Sequence, residues 1–451
     1  MNVIGIDIGT TTIGVSAVDS KSGETVKSIT VNSESFIPTE KTYEKIQSVD
    51  TIVGKVMTLL DTIMAECSPV CCIGVTGQMH GIVYVDADGK ACSPLATWQD
   101  GRANLKTASG ETYCDRIAAL TGMNVASGYG LATHYYNMQN GLVPENASSF
   151  CTIHDYIAML LCGNAHPVMH SSDAASFGLF DLENACFDSD AIAKLGIDAS
   201  MLPRVTDGEI SVGEYKGIPV SVAIGDNQAS VIGSVSDSEN TVLVNIGTGS
   251  QISVLGRVGT PFPSGEVRPL TGGDHILVGS ALCGGRVFAC LENFFRTAFA
   301  EYTGECDSAY AFMDKLAEQY YPIDNELIVD TSLSGTRVNP DVRGKIENIC
   351  IDNLTPAHLV CGVLKGSVAE LYNMYMEIEP SLDKKPTVLV GSGNGLRKSP
   401  VWRRITEEMF GMKMSVPVHK EEAAYGAAIF ALAACGIYES IKEAQKIIRY
   451  I

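Results

Sequence analysis

Two turns in this chain combine glycine with clustered hydroxyls, a pattern suited to holding phosphate. In DIGTTT (Asp7–Thr12) the glycine permits close backbone approach, and the amides and hydroxyls of Thr10, Thr11 and Thr12 can donate to phosphate oxygens. Asp7 beside them can hold a divalent cation, Mg2+, through water. In NIGTGS (Asn245–Ser250) the Ile-Gly-Thr triplet recurs, and Gly247, Thr248 and Gly249 form a second candidate clamp. A Thr-rich hairpin would read the same way, so neither turn decides the matter alone. A third segment carries Gly391, Ser392, Gly393 and Asn394 after the apolar run PTVLV, and suits either an adenine pocket or a plain loop. Its spacing is not GxGxxG, and GxxxxGK[ST] occurs nowhere, so Rossmann and P-loop sites lose support.

A base and a set of polar binding groups accompany these turns. Asp226, with Asn227 after it, follows the strand-like VAIG and precedes a helix, where a carboxylate can accept the proton of an attacking hydroxyl during phosphoryl transfer. An isolated GDN reads equally well as a helix N-cap. GVTGQMHG (Gly74–Gly81) sets Gln78, Met79 and His80 at the carboxyl end of a buried strand, a favoured ligand position in open α/β sheets. TWQDGR (Thr97–Arg102) adds Trp98 as a platform for a sugar face, with Asp100 and Arg102 as polar partners. The plainer alternatives are a satisfied loop histidine and a packed tryptophan beside an ion pair. His166 and His170 are four apart, but Pro167 between them argues against a helical metal pair.

These groups need elements to position them. NVIGIDIG, TIGVSAVDS and ETVKSITVN read as a β-meander. In the first strand Ile4, Ile6 and Ile8 share a core face, and Gly5, Asp7 and Gly9 share a face bare enough to admit a ligand. A helix over 43–67, a strand over 72–75 and a hairpin around DADGK follow. A mainly helical stretch from Tyr113 to Ser176 comes next, with Gly163 as a helix C-cap. The polar SVSDSEN marks a boundary between domains 1–236 and 237–451, and two domains imply a cleft. A helix near Pro400 follows the glycine-rich segment, and AAYGAAIFALAACGIY (Ala423–Tyr438) reads as a buried helix rather than a membrane span.

Composition narrows the partners. A chain of 451 residues, 45% apolar and 19% charged, is globular and long enough for two cores. Its formal charge of −20 disfavours nucleic acid and anionic membrane. The 14 scattered cysteines suit reduced thiols, and the absence of a basic, apolar leader points to the cytoplasm. A homodimer is left open.

In this order, DIGTTT, GQMHG, WQDGR, GDNQ, NIGTGS and GSGNG resemble the FGGY carbohydrate kinases of the actin–hexokinase–Hsp70 superfamily, over essentially the whole chain. The resemblance implies a two-domain α/β, actin-like (ribonuclease H-like) fold that binds ATP and a sugar in the cleft, with Asp226 as base. TWQDGR, SGYGLAT (Ser127–Thr133), TIHDYIAMLLCG (Thr152–Gly163) and AASFGLFD (Ala174–Asp181) are most similar to the sedoheptulokinase-like branch. That implies a small-molecule ketose substrate, sedoheptulose, converted to its 7-phosphate. A xylulokinase is the alternative, because NIGTGS has the Gly-Thr-Gly form of that branch. An actin-like ATPase without sugar chemistry is the more distant one.

Overall fold

The meander of the sequence reading is built as three antiparallel strands, Asn2–Ile8, Thr12–Asp19 and Thr25–Asn32, with Ile8 opposite Ile13. The structure, a computed structural model, describes residues 1–336, 339 and 341–451. These fall into two compact units. The first comprises Met1–Ser236, Arg268–His275 and Glu421–Arg449, and the second Asp237–Val267, Ile276–Lys420 and Tyr450–Ile451, so the chain returns twice to the first unit.

In the first unit a seven-stranded sheet has the meander on one side. The strand Val70–Gly77 lies parallel to Asn2–Ile8, after a crossover through the helix Val49–Glu66. That helix starts at Val49 rather than near Tyr43, because Ser48 Oγ caps the Thr51 amide at 3.2 Å. Ile46–Gln47 before it pairs as a short strand with Leu95–Ala96. Ile218–Ser221 and Ile224–Gly225 also run parallel to Val70–Gly77, and the second of these places Gly225 beside Gly77. The stretch from Tyr113 to Ser176 holds four helices, the third capped by left-handed Gly163 as expected, but also the strands Ala147–Cys151 and Val168–His170. Asp86 makes the turn at DADGK, although its strand Val83–Asp86 pairs mainly with Ala147–Cys151 and not with a full hairpin partner.

The bare face of the first strand is the main correction. An ideal Cβ at Gly5 would overlap the carbonyl of Ala424, and one at Gly74 that of Ala427. The glycines admit the buried helix Glu422–Ala434, not a ligand. Ile4, Ile6 and Ile8 on the other face are fully buried, so the strand is covered on both sides.

Around the second unit's own core, a six-stranded sheet repeats the plan. Thr241–Ile246 is antiparallel to Ser250–Gly256 and parallel to Val388–Ser392, with Asn245 beside Ser392 where the first unit has Asp7 beside Thr76. Among the described residues no helix is long and apolar enough to cross a membrane.

Candidate active site

Thr10 is the hub of a closed polar ring in the first unit. Trp98 Nε1 donates to Thr10 Oγ1 at 2.9 Å, and that hydroxyl donates to Gln78 Oε1 at 3.2 Å. Gln78 Nε2 donates to Gln47 Oε1 at 2.9 Å, and Gln47 Nε2 returns to the Thr10 carbonyl at 2.8 Å. The residue expected on phosphate and two expected on sugar are therefore one hydrogen-bonded unit. Gln47 was not legible because nothing in its neighbourhood marks it. Gln78, expected as a direct sugar contact, is buried and holds Thr10 instead, whereas Trp98 keeps 49% of its surface exposed and Thr11 and Thr12 face solvent.

Asp226 opens the helix Asp226–Ser234, but Gly225 is its N-cap and no side chain makes a capping bond. Asp226 is therefore not the N-cap, although its carboxyl does accept the neighbouring Asn227 amide. Burial raises the Asp226 carboxyl above the ordinary range, and His154, Arg268 and the Asn227 amide pull it part of the way back. Asp7 is pushed up to about 8, chiefly by burial and then by the like charges of Asp226 and Glu421. Three carboxylates that repel one another are hard oxygen donors of the kind Mg2+ takes, and a cation would remove the repulsion. Glu421 escaped the sequence reading, since the chain brings it back from far along.

The sign of the Asp7 effect is testable. A carboxyl ordinarily ionised above about 4 that stays protonated to about 8 when folded binds more protons folded than unfolded across that window, so stability falls as pH rises through it. In chelator, Asp7→Asn is expected to melt higher than wild type. The gap should grow from pH 5 to pH 8, reaching roughly 2 kcal/mol or about 5 °C after allowance for solvent screening. A gap independent of pH in thermal melts would contradict this.

Beneath Asp226 lies a buried polar layer that the sequence reading missed. His154 Nε2 meets Asp173 Oδ1 at 2.8 Å, and Asp155 stands beside them as the capping-box residue of its helix, bonded to Thr152 Oγ1 at 2.6 Å. Burial pushes the Asp155 and Asp173 carboxyls well up and the His154 imidazole down. Met79, expected on substrate, is also buried; a Cβ on Gly225 would come within 2.8 Å of its sulfur, so it packs under the turn that carries Asp226. Asn227 stays partly exposed.

Of the remaining sugar candidates, His80 is partly exposed, whereas Asp100 is buried. His80 has φ of 74°, uncommon for a residue with a side chain, and stacks on Tyr129 at 4.6 Å and 5°. Gly128, with φ of 94°, lets the same loop close onto the Trp98 backbone, which gives SGYG a physical role. Asp100 is only 1% exposed. Its oxygens accept from Arg102 Nε at 2.8 Å, Arg102 Nη2 at 2.9 Å, and the amides of Lys45 and Arg102, so its hydrogen-bonding capacity is already used inside the fold.

In the second unit the two glycine-rich turns meet. Asn245 Nδ2 donates to Ser392 Oγ at 2.8 Å, and Gly393, with φ of 83°, lets a short helix, Gly393–Lys398, close on Ile246 and Gly247. The helix expected near Pro400 follows as Pro400–Phe410. Thr248, Gly249 and Asn394 are exposed, whereas Gly391 and Ser392 are buried and shape the turn from beneath. The helix Gly284–Thr303 braces the same turn: the Gly285 amide donates to the Gly247 carbonyl at 2.8 Å and the Arg286 amide to Thr248 at 3.0 Å. The segment CGGR (Cys283–Arg286) carried a signal in its paired glycines that the sequence reading did not use.

The two-unit plan, each unit with a strand pair joined by a Gly-Thr turn, is that of known proteins. Residues 2–243 match the N-terminal domain, and residues 242–435 the C-terminal domain, of the FGGY family of carbohydrate kinases. Sedoheptulokinase of Mus musculus is 27% identical over 95% of this chain and 97% of its own length, and gluconokinase of Bacillus subtilis (strain 168) is 23% identical over 97% and 88%. The crystal structure of xylulose kinase from Rhodospirillum rubrum superposes with a TM-score of 0.85 at 20% identity, covering 100% of this chain and 93% of that one. The chain belongs to the FGGY family of carbohydrate kinases: it has the two-domain actin-like fold and is a phosphotransferase that moves a phosphoryl group from ATP to an alcohol of a carbohydrate.

Proposed function

We propose that this kinase phosphorylates sedoheptulose to sedoheptulose 7-phosphate, with Asp226 as general base. The observation that carries the substrate is the likeness to sedoheptulokinase along 95% of the chain, together with the SGYG loop that joins Trp98 to the His80–Tyr129 stack. Xylulokinase is the second reading, favoured by the Gly-Thr-Gly turn at Gly247–Gly249.

In this reading Asp226, raised by burial yet drawn back by His154 and Arg268, takes the proton of the attacking hydroxyl. The amides of Thr10, Thr11 and Thr12 and the hydroxyls of Thr11 and Thr12 donate to the transferred phosphoryl group, and the Trp98–Thr10 bond links sugar placement to phosphate placement. Gly247–Gly249 and Gly391–Asn394 are the nucleotide-binding elements of the second unit. Asp7 and Asp226 would hold Mg2+, which neutralises charge on the phosphates when bound. Trp98 offers its exposed ring to the sugar.

The test is a comparison of kcat/KM for sedoheptulose, D-xylulose, gluconate and glycerol, read as ATP-dependent ADP release. Sedoheptulose is expected to lead by at least about tenfold, the scale of one to two well-placed polar contacts. A lead for D-xylulose would install the second reading. Trp98→Ala is expected to raise the KM for the preferred sugar about tenfold, as loss of an aromatic platform does, while the KM for ATP changes less. Equal effects on both substrates would assign Trp98 to the Thr10 turn alone.

A further inference from the structure

The short helix Ser171–Ser176 ends directly behind His80. Its last residue makes two bonds to that histidine. Ser176 Oγ accepts the His80 amide at 3.1 Å, and the Ser176 carbonyl lies 2.7 Å from His80 Nδ1. A carbonyl only accepts, so Nδ1 carries the proton, and the ring is held in one tautomer against the Tyr129 face. The serine hydroxyl is itself oriented, donating to the Asp173 carbonyl at 2.7 Å, and the side chain is buried. Two neighbours on the same helix fix adjacent parts of the site. Ser172 Oγ accepts the Gly225 amide at 3.1 Å, just ahead of Asp226, and Asp173 holds His154.

His80 needs such a clamp. Its left-handed backbone is costly for a residue with a Cβ and persists only where surrounding bonds enforce it. Without the Ser176 hydroxyl the His80 amide loses this acceptor, and the left-handed backbone that carries the ring is held less firmly, although the Ser176 carbonyl still meets Nδ1.

We infer that Ser176 is a positioning residue of the sugar site, which acts through His80 by holding its backbone in the left-handed conformation and its imidazole in the Nδ1–H tautomer, and so sets affinity for the sugar. The inference rests on the reading of His80 as a sugar contact but not on which sugar is used.

The experiment is a double-variant cycle on Ser176→Ala, His80→Ala and both together, run with whichever sugar wild type phosphorylates fastest. Failure of sedoheptulose as substrate therefore leaves the cycle intact. Ser176→Ala is expected to raise the KM for that sugar roughly 5–20-fold, the consequence of losing one such hydrogen bond, with kcat and the KM for ATP within about twofold. The double variant should be no worse than His80→Ala, and Ser176→Thr, which keeps the hydroxyl, should recover most of the loss. An unchanged sugar KM, fully additive losses, or a parallel fall in kcat and both affinities would overturn the inference. Nitrogen-15 NMR of the wild-type histidine rings supplies a readout that does not depend on the variants folding: His80 is expected as the Nδ1–H tautomer, and an Nε2–H ring would overturn the inference on its own.

Discussion

Asp226→Asn is expected to abolish most turnover while leaving nucleotide binding in place. The amide keeps the shape of the carboxyl but cannot take the proton, and a positioned general base contributes about 10²–10⁴-fold, so kcat should fall by roughly that factor with little change in the ATP dissociation constant. The alternative role of helix cap makes the opposite prediction, because asparagine and aspartate cap about equally well. In the structure Gly225, not Asp226, holds the cap position. Measurement of kcat on the preferred sugar, the ATP dissociation constant and the melting temperature separates the two. A folded variant that keeps more than about a tenth of wild-type kcat would contradict the base assignment. Suspicion would then pass to Asp7, since Asp100 is bound up with Arg102.

Gly426→Ala is expected to be the most destabilising single methyl in the first unit. A Cβ at Gly426 would overlap the carbonyl of Ala229, and the facing Gly233 is also closed, less tightly, by the backbone of Glu422 and Gly426. The contact is backbone against backbone, so no side-chain rotation relieves it. Overpacking of this kind costs about 1–3 kcal/mol and more where the backbone must shift, so a loss of roughly 4 kcal/mol and about 10 °C in Tm is expected. Gly54→Ala is the control. Gly54 is exposed in the helix Val49–Glu66 with open space around it, and the same substitution should raise stability by about 0.5–1 kcal/mol. Two melting curves moving in the same direction would refute the packing argument.

Much of the fold was legible from local signals. Period-two alternation in NVIGIDIG and the repeated Ile-Gly-Thr turn announced two similar strand-turn-strand pairs, and a strand running into GDNQ put Asp226 at a strand end. Uniform hydrophobicity from Ala423 marked a buried helix, seen as Glu422–Ala434. These features are written in consecutive residues, where side-chain period and turn chemistry act over one or two turns of chain. The sequence by itself therefore determined the opening strands, the glycine-hydroxyl turns, the buried C-terminal helix and the identity of the candidate base.

Only the tertiary structure decided which polar groups face inward. Asp100 and Trp98 stand two residues apart, yet one is sealed by Arg102 and Lys45 and the other exposes half of its ring. Gly5 offered an empty face, and whether a ligand or a helix would fill it depended on residues more than four hundred positions along the chain. The groups around Asp226 come likewise from separate segments: His154 and Asp173 beneath it, Glu421 beside Asp7, and Ser176 behind His80. Burial and like-charge repulsion set the protonation of a carboxyl, and both depend on distance in space, which a linear spacing of residues does not encode.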